Sequence, residues 1–177
     1  CLEWQLPLFF DPIFYGHWPV SVDAVVGPRF IAEDANNTSY FTNTSWAWTT
    51  EELGLVHGAH DNRHLFMNTY TSRYVRALTP DDSCYNTQSY DCDANATVSG
   101  YNFTDGTPIG TPSTNGWLYN YGSGIRHLLK FYDDRYPNRT YIITENGWGN
   151  ASQATLELEV KDLERCNFYR DYISNVS

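Results

Sequence analysis

Two short apolar runs, each ending in polar residues, constrain the fold of this chain most. They are LFM at residues 65–67 and YII at residues 141–143. Between them, apolar side chains recur at spacings of three and four, which predicts a helix from about Gly124 to Tyr136. A second helix is predicted over residues 155–175. The order strand, helix, strand, helix is typical of an α/β fold with a parallel sheet and helical crossovers.

The remaining segments are assigned from their turn and capping residues. Residues 1–30 mix aromatics with prolines, which predicts a loop or a short helix. Residues 31–48 are polar and are predicted to form an exposed insertion. A capping signal at Thr50 predicts a short helix that stops near Gly58. Residues 76–115 lack clear periodicity, so we expect a long loop over the active-site face. The continuous apolar run at 65–67 predicts a strand buried on both faces.

The charge and hydropathy of the chain exclude several classes of partner. The formal net charge is −10 and the basic residues are scattered, whereas a nucleic-acid partner requires a basic stripe. No apolar run approaches the roughly 20 residues of a membrane span, and no signal peptide is visible. Aromatic residues make up 16% of the chain. Such rings suit sugars, although composition alone favours the plainer interpretation of a large core with aromatic loops.

Asparagine sequons and cysteine spacing bear on the compartment. The Asn-x-Ser/Thr motif, a possible N-glycosylation site, occurs eight times, at Asn36, Asn37, Asn43, Asn95, Asn102, Asn138, Asn150 and Asn175. Cys84 and Cys92 flank a short polar loop that a disulfide would close easily, and the alternative is a pair of free thiols. Together these features favour a secreted or vacuolar protein.

The two ends of the chain predict an internal piece of a longer protein. Position 1 is Cys, and the only methionine is Met67. At the other end, Leu156, Val160 and Leu163 are spaced as on one helix face, and that predicted helix stops without a C-cap glycine.

Glu145 is the residue most suited to chemistry. It directly follows the second apolar run, and the carboxyl ends of parallel strands form the edge where active sites lie in such folds. A carboxylate held there could act as a nucleophile, a base or a metal ligand. Tyr70, just beyond the first run, could donate its hydroxyl to it. The alternative is a surface glutamate in an ordinary Asn-Gly turn.

The second candidate site is a histidine cluster, formed by His57, His60 and His64, that could bind a metal. Zinc sites use closely spaced histidines, but Gly58 and the pair Asp61-Asn62 interrupt any helix that would align these three. We therefore predict neither a metal nor a cofactor.

Five collinear segments resemble glycoside hydrolase family 1, the β-glucosidase family. YIITENG resembles its nucleophile motif, and WLYNYGSGIRHLLKFYDDRY resembles the segment one helix earlier. FFDPIFYGHWP, then TTEELGLVHGAHD with MNTYTSRY, and finally KDLERCNFY resemble further family segments, in the family's order. The resemblance covers nearly the whole chain.

The resemblance implies a partial (β/α)₈ barrel, comprising roughly the fifth to seventh βα units, and a retaining glycosidase acting on a small-molecule or oligosaccharide β-glycoside, most simply a terminal β-D-glucoside. It implies that Glu145 is the nucleophile and that Tyr70 hydrogen-bonds it. Asn68 would line the same pocket, and Trp117 would form an aromatic platform for the aglycone.

The chain also departs from the family pattern. The acid/base glutamate belongs to a Thr-x-Asn-Glu-Pro motif, and no Asn-Glu-Pro occurs here. The downstream tryptophan-rich segment that binds the glycone hydroxyls is missing as well. Phe66 stands where the family usually has glycine, and Gly122 where it usually has proline. We therefore expect the 177 residues alone to be inactive, and a non-catalytic sugar-binding or partner-binding homologue remains the alternative.

Overall fold

The computed structural model describes residues 2–34, 49–57, 63–150 and 155–176. A short 3-10 helix (Leu2–Trp4) precedes the helices α1 (Leu6–Tyr15), α2 (Val20–Asp34), α3 (Thr50–His57), α4 (Tyr90–Asp93), α5 (Ser123–Arg135), α6 (Leu156–Val160) and α7 (Leu163–Ile173). The strands are β1 (His64–Asn68), β2 (Tyr74–Ala77), β3 (Ala96–Ser99), β4 (Thr111–Pro112), β5 (Tyr119–Asn120) and β6 (Thr140–Glu145). Two compact units result: residues 1–62 with 75–97, and residues 63–74 with 98–177.

The predicted parallel pairing is present in the second unit. β1 pairs with β6 in parallel, with His64 opposite Thr140 and Met67 opposite Ile143. Helix α5 lies between the two strands in the sequence and matches the prediction to within one residue at each end. The α/β fold class with a helical crossover is therefore confirmed.

The two faces of the β1–β6 pair differ, and the prediction that β1 is buried on both faces was wrong. Leu65 and Met67 are buried, but Phe66 between them is 54% exposed. Because strand side chains alternate, only the face that carries Leu65 and Met67 packs against other described residues. We call this the closed face, and we call the face that carries Phe66 and Asn68 the open face.

An aromatic cluster underlies the second unit. Phe168 on α7 is completely buried and stacks on Tyr172, with ring centroids 4.2 Å apart. Trp148 packs on the other side of Phe168 at 5.2 Å. Ile143 on β6 contacts this cluster from the closed face. The cluster thus anchors α7 against the strand that ends in Glu145.

The prediction of a single helix over residues 155–175 was wrong, because two helices occupy this range. The carboxylate of Asp162 accepts a hydrogen bond from the backbone N–H of Arg165 at 3.0 Å, which caps the start of α7. An N-cap residue satisfies amide groups that a helix leaves open, so Asp162 favours a new helix start over continuation. The break separates Leu163 from the predicted face with Leu156 and Val160.

A close approach explains the glycine at position 122. A Cβ atom there would lie 2.7 Å from the backbone oxygen of Asp171, a distance that no side chain tolerates. The absence of a side chain therefore lets the start of α5 lie directly against the last turn of α7.

The first unit is more helical than predicted. Residues 1–30 contain α1 and most of α2, where a loop or a short helix was expected. Helix α1 has proline at its start and ends at Gly16, whose φ of 74° suits glycine. Of the predicted insertion, residues 31–34 belong to α2 and residues 35–48 lie outside the described residues.

Helix α3 confirms the predicted helix, but its cap is shifted by one residue. Thr49 caps it, because the Thr49 hydroxyl accepts from the amide of Glu52 at 3.2 Å. The Glu52 carboxylate accepts in return from the amide of Thr49 at 2.8 Å. These reciprocal bonds form a capping box. The hydrogen bonds that the Thr49 amide and hydroxyl donate to the carboxylate lower the pKa of Glu52.

The segment 76–115 contains more structure than the predicted loop. It includes β3, α4 and β4, and β3 pairs with β2. Cys84 and Cys92 are joined by a disulfide. Arg76 donates two hydrogen bonds to the Asp82 carboxylate, at 2.7 and 2.8 Å, and this pairing holds the Asp82 pKa well below its usual range. Short polar strands give no clear periodicity, which is why the sequence did not predict them.

Candidate active site

An irregularity in strand pairing places Glu145 on the open face. The register of β1 and β6 shifts by one residue after Met67, so that Asn68 lies opposite Glu145 and Thr144 becomes the extra residue. Without this bulge Asn68 would face Thr144, and strict alternation would direct Glu145 to the closed face. Bulges commonly re-aim a side chain beside an active site. The sequence pattern gave no signal for it.

Thr144 fastens the bulge to the neighbouring strand. Its hydroxyl lies 3.2 Å from the Met67 carbonyl and 2.6 Å from the side-chain oxygen of Asn68. The backbone amide of Thr69 donates to the Glu145 carbonyl at 2.9 Å. The Asn146 side chain donates to the Thr69 carbonyl at 2.7 Å. These bonds hold the two strand ends together and bring Asn68 to the same edge as Glu145.

Tyr70 and Glu145 are in direct contact. The Tyr70 hydroxyl donates a hydrogen bond to the Glu145 carboxylate at 2.5 Å. This bond, with a smaller contribution from desolvation, raises the pKa of the Tyr70 phenol. The Tyr172 hydroxyl donates to the Tyr70 backbone carbonyl at 3.3 Å, so the aromatic cluster also holds the backbone of Tyr70. The carboxylate is exposed and oriented, which leaves its second oxygen free to approach a ligand.

Trp117 forms an aromatic wall beside Tyr70. The ring centroids of Tyr70 and Trp117 lie 5.7 Å apart at an interplanar angle of 60°. A tryptophan just before α5 could have been a core residue, but Trp117 is 48% exposed and therefore is not. A flat, half-exposed indole is the kind of surface on which sugars and aryl groups stack.

Arg73 is a residue of this region that the sequence did not single out. Its guanidinium donates a hydrogen bond to the backbone carbonyl of Trp117 and lies over the ring of Tyr119, with Cζ 4.8 Å from the ring centroid. A basic residue five positions after the end of β1 carries no distinctive pattern, so only the structure links it to Trp117.

A metal is not suggested by the described residues. Among residues 2–34, 49–57, 63–150 and 155–176, no group of three or more His, Cys, Asp or Glu side chains could hold a metal ion. His60 of the histidine triplet lies outside these ranges. Within the same ranges, no helix is long and apolar enough to cross a membrane. The chemistry available at the site is thus that of a carboxylate, a phenol and an indole.

Comparison with known proteins gives a consistent set of relatives. The family model described as Glycosyl hydrolase family 1 matches residues 1–177. Beta-glucosidase 12 of Oryza sativa is 32% identical over 174 residues, covering 97% of this chain and 30% of the rice protein. Beta-glucosidase 24 of Oryza sativa is 31% identical over 180 residues, which is 99% of this chain and 31% of that protein. The chain thus spans about a third of the length of these curated relatives.

Solved structures agree with the sequence relatives. A rice Os3BGlu6 β-glucosidase mutant, solved in a covalent complex with Glc, has a TM-score of 0.76 and 26% identity, covering 98% of this chain and 33% of that one. The β-glucosidase of Trichoderma harzianum has a TM-score of 0.76 and 29% identity, covering 99% and 33%. These enzymes are (β/α)₈ barrels, and the chain matches a third of one, so its fold is a partial barrel.

Proposed function

The chain belongs to glycosyl hydrolase family 1, and from that premise we propose that the full-length protein carrying it is a retaining β-glycosidase, most simply a β-glucosidase. The observation that supports this most directly is the hydrogen bond from Tyr70 to Glu145 at the open carboxyl edge of β6. A nucleophilic carboxylate must be held in one orientation, and the hydrogen bond from the Tyr70 hydroxyl fixes that of Glu145.

In the proposed reaction Glu145 attacks the anomeric carbon of a terminal β-D-glucoside. The glycosidic bond breaks as the new carbon–oxygen bond forms, and a second carboxylic acid protonates the departing oxygen. That group, now a carboxylate, then takes a proton from water. The water oxygen bonds to the anomeric carbon and releases Glu145. The two carboxyl groups of such enzymes lie ~5–5.5 Å apart, which leaves room for the sugar and no extra water.

We assign the turnover to the full-length protein and not to the 177 residues alone. The Asn-Glu-Pro sequence expected of the acid/base residue is absent from this chain. General acid catalysis contributes roughly 10²–10⁴-fold in rate, so the chain alone should hydrolyse nothing measurable. Turnover of an aryl β-glucoside by the isolated chain would contradict this division of roles.

Covalent trapping tests the role of Glu145. In the full-length protein, a 2-deoxy-2-fluoro-β-glucoside with a good leaving group should form a stable adduct, and peptide mass spectrometry should place it on Glu145. Glu145→Gln should abolish labelling, whereas Glu164→Gln, an exposed carboxylate on α7, should leave it intact. Labelling at another residue would refute the assignment. Glucoside binding without labelling or turnover would favour the non-catalytic homologue.

We also propose that the protein passes through the secretory pathway, to the exterior or the vacuole. The Cys84–Cys92 disulfide suits an oxidising compartment. The eight sequons are not equivalent. Asn95 and Asn138 are exposed, with backbone φ values of 49° and 63°. The Asn175 side-chain nitrogen, the atom that would carry a glycan, instead donates to the Asp171 carbonyl at 2.7 Å.

Expression of the full-length protein in a secretory host tests whether it is glycosylated in the secretory pathway. After enzymatic deglycosylation, mass spectrometry should find Asn95 and Asn138 occupied and Asn175 unmodified. Thr97→Ala and Thr140→Ala each destroy one sequon without altering its asparagine, and each should remove one glycan. Occupancy of Asn175 with Asn95 and Asn138 both empty would reverse the assignment.

A further inference from the structure

The segment that carries Trp117 is attached to the segment after β1 by two side chains. The Thr71 hydroxyl accepts from the Tyr119 amide at 2.9 Å and donates to the Tyr119 carbonyl at 3.2 Å. Arg73 donates to the Trp117 carbonyl. Thr71 therefore bonds to Tyr119, and Arg73 bonds to Trp117. The two bonding residues are two positions apart on each segment, which is the spacing found between neighbouring strands.

Arg73 is the member of this attachment that acts on Trp117 itself. Its guanidinium is confined from two sides, by the Trp117 carbonyl and by the ring of Tyr119, which is buried. Among the described residues no acceptor pairs with its buried Nη1 atom. Hydrogen bonding alone does not explain why the Arg73 guanidinium is held here, because a buried donor without an acceptor destabilises the folded protein. A role in positioning Trp117 explains its confinement better.

We infer that Arg73 is a positioning residue that holds Trp117 against Tyr70 and thereby sets the aglycone side of the pocket. The inference rests on the proposed function. The link runs from Arg73 to the Trp117 backbone, from the Trp117 ring to the Tyr70 ring at 5.7 Å, and from the Tyr70 hydroxyl to Glu145. Loss of Arg73 frees the Trp117 backbone, but it leaves the Tyr70–Glu145 hydrogen bond in place. The aglycone wall should therefore loosen while the nucleophile remains oriented.

A pair of substrates separates these two consequences in the full-length protein. β-Glucosyl fluoride has almost no aglycone to stack, whereas a bulky aryl β-glucoside presents a ring to Trp117. Arg73→Met keeps the length of the side chain and removes its donors and charge. It should lower kcat/KM for the aryl substrate about 5- to 20-fold, mainly through KM, and change that for the fluoride less than about twofold. Arg73→Lys should restore part of the loss.

Arg126→Met is the matched control. Arg126 is an exposed arginine of α5 that also donates to backbone carbonyls, those of Ser174 and Asn175, each at 3.4 Å. It should leave the ratio of the two substrates unchanged. In a Trp117→Ala background, Arg73→Met should have little further effect, because residues that act as one unit are not additive.

Three results would overturn the inference. An unchanged ratio of kcat/KM for the two substrates in Arg73→Met, with or without an equal loss on both, would refute the positioning role while leaving the proposed function intact. Full additivity with Trp117→Ala would indicate a general structural role instead. Absence of turnover of either substrate by the wild-type protein would refute the proposed function and, with it, this inference.

Discussion

The closed and open faces of the β1–β6 pair are built from the same two strands but differ in what their side chains do. On the closed face, Leu65, Met67 and Ile143 are packed, and Ile143 contacts the aromatic cluster around Phe168. On the open face, Asn68 and Glu145 are exposed at the strand ends. One face therefore supplies rigidity and the other presents chemistry. A carboxylate at the end of a fixed strand keeps one orientation while it stays accessible to a ligand.

The sharpest test of this comparison is removal of the carboxylate on the open face. In the full-length protein, Glu145→Gln should lower kcat by at least about 10³-fold, because an amide cannot form the glycosyl-enzyme. The melting temperature should change little, since glutamine has the same size as glutamate and its amide oxygen can still accept the hydrogen bond from the Tyr70 hydroxyl. Paired activity assays and thermal melts measure both effects. A large drop in melting temperature would show that the open face also carries stability.

The converse test is a cavity beneath the closed face. Phe168→Ala should lower the free energy of unfolding by about 3–5 kcal/mol, because the ring is completely buried between Tyr172 and Trp148. Phe168→Leu should cost less, in keeping with the smaller cavity. Denaturant unfolding gives the energies, and active-site titration gives the activity of each folded molecule. That activity should stay within about threefold of wild type, and a loss as large as that of Glu145→Gln would contradict the separation of roles.

The sequence predicted the closed face better than the open one, for a physical reason. Apolar runs and helical spacing indicate where strands and helices lie, so the positions of β1, α5 and β6 were predicted correctly, although Phe66 in β1 is exposed. Glu145 and Tyr70 were found because strand ends and the family resemblance both indicate them. The bulge at Thr144 was not predicted, because a one-residue register shift depends on the partner strand and not on the local pattern.

Two further misses have different causes. The link from Arg73 to Trp117 joins residues 44 positions apart, and no periodicity encodes such a contact. The break between α6 and α7 could have been predicted, since Asp162 is a favoured N-cap residue followed at once by the apolar Leu163. The apolar spacing of Leu156, Val160 and Leu163 outweighed that signal.

Tyr70 connects the two faces, and its hydroxyl offers a smaller test. Tyr70→Phe removes the donor to Glu145 but keeps the ring that packs against Trp117. Because this donor orients the attacking oxygen, kcat/KM should fall roughly 10- to 150-fold. Steady-state kinetics measures the fall, and thermal melts should show little change. A loss of less than about twofold would mean that Glu145 is oriented by other contacts.

The smallest expected effect concerns two tyrosines, Tyr70 and Tyr172, whose pKa values are raised by different causes on the two faces. Burial raises the pKa of Tyr172, on the closed side, to about 12, whereas the hydrogen bond to Glu145 raises that of Tyr70. An unfolded tyrosine titrates near pH ~10, so the stability contributed by neutral Tyr172 is complete below that pH. It is lost as the pH rises from 10 towards 12, because the unfolded chain then releases a proton that the folded protein retains.

Ultraviolet titration of phenolate separates these two causes. Glu145→Gln should bring the pKa of Tyr70 closer to its ordinary value and leave that of Tyr172 unchanged, with Tyr70→Phe and Tyr172→Phe identifying the two signals. Tyr172→Phe should also flatten the decline of unfolding free energy above pH ~10. If Glu145→Gln shifted the pKa values of Tyr70 and Tyr172 equally, the carboxylate would be acting across the strand pair. The two faces could then not be treated as electrostatically separate.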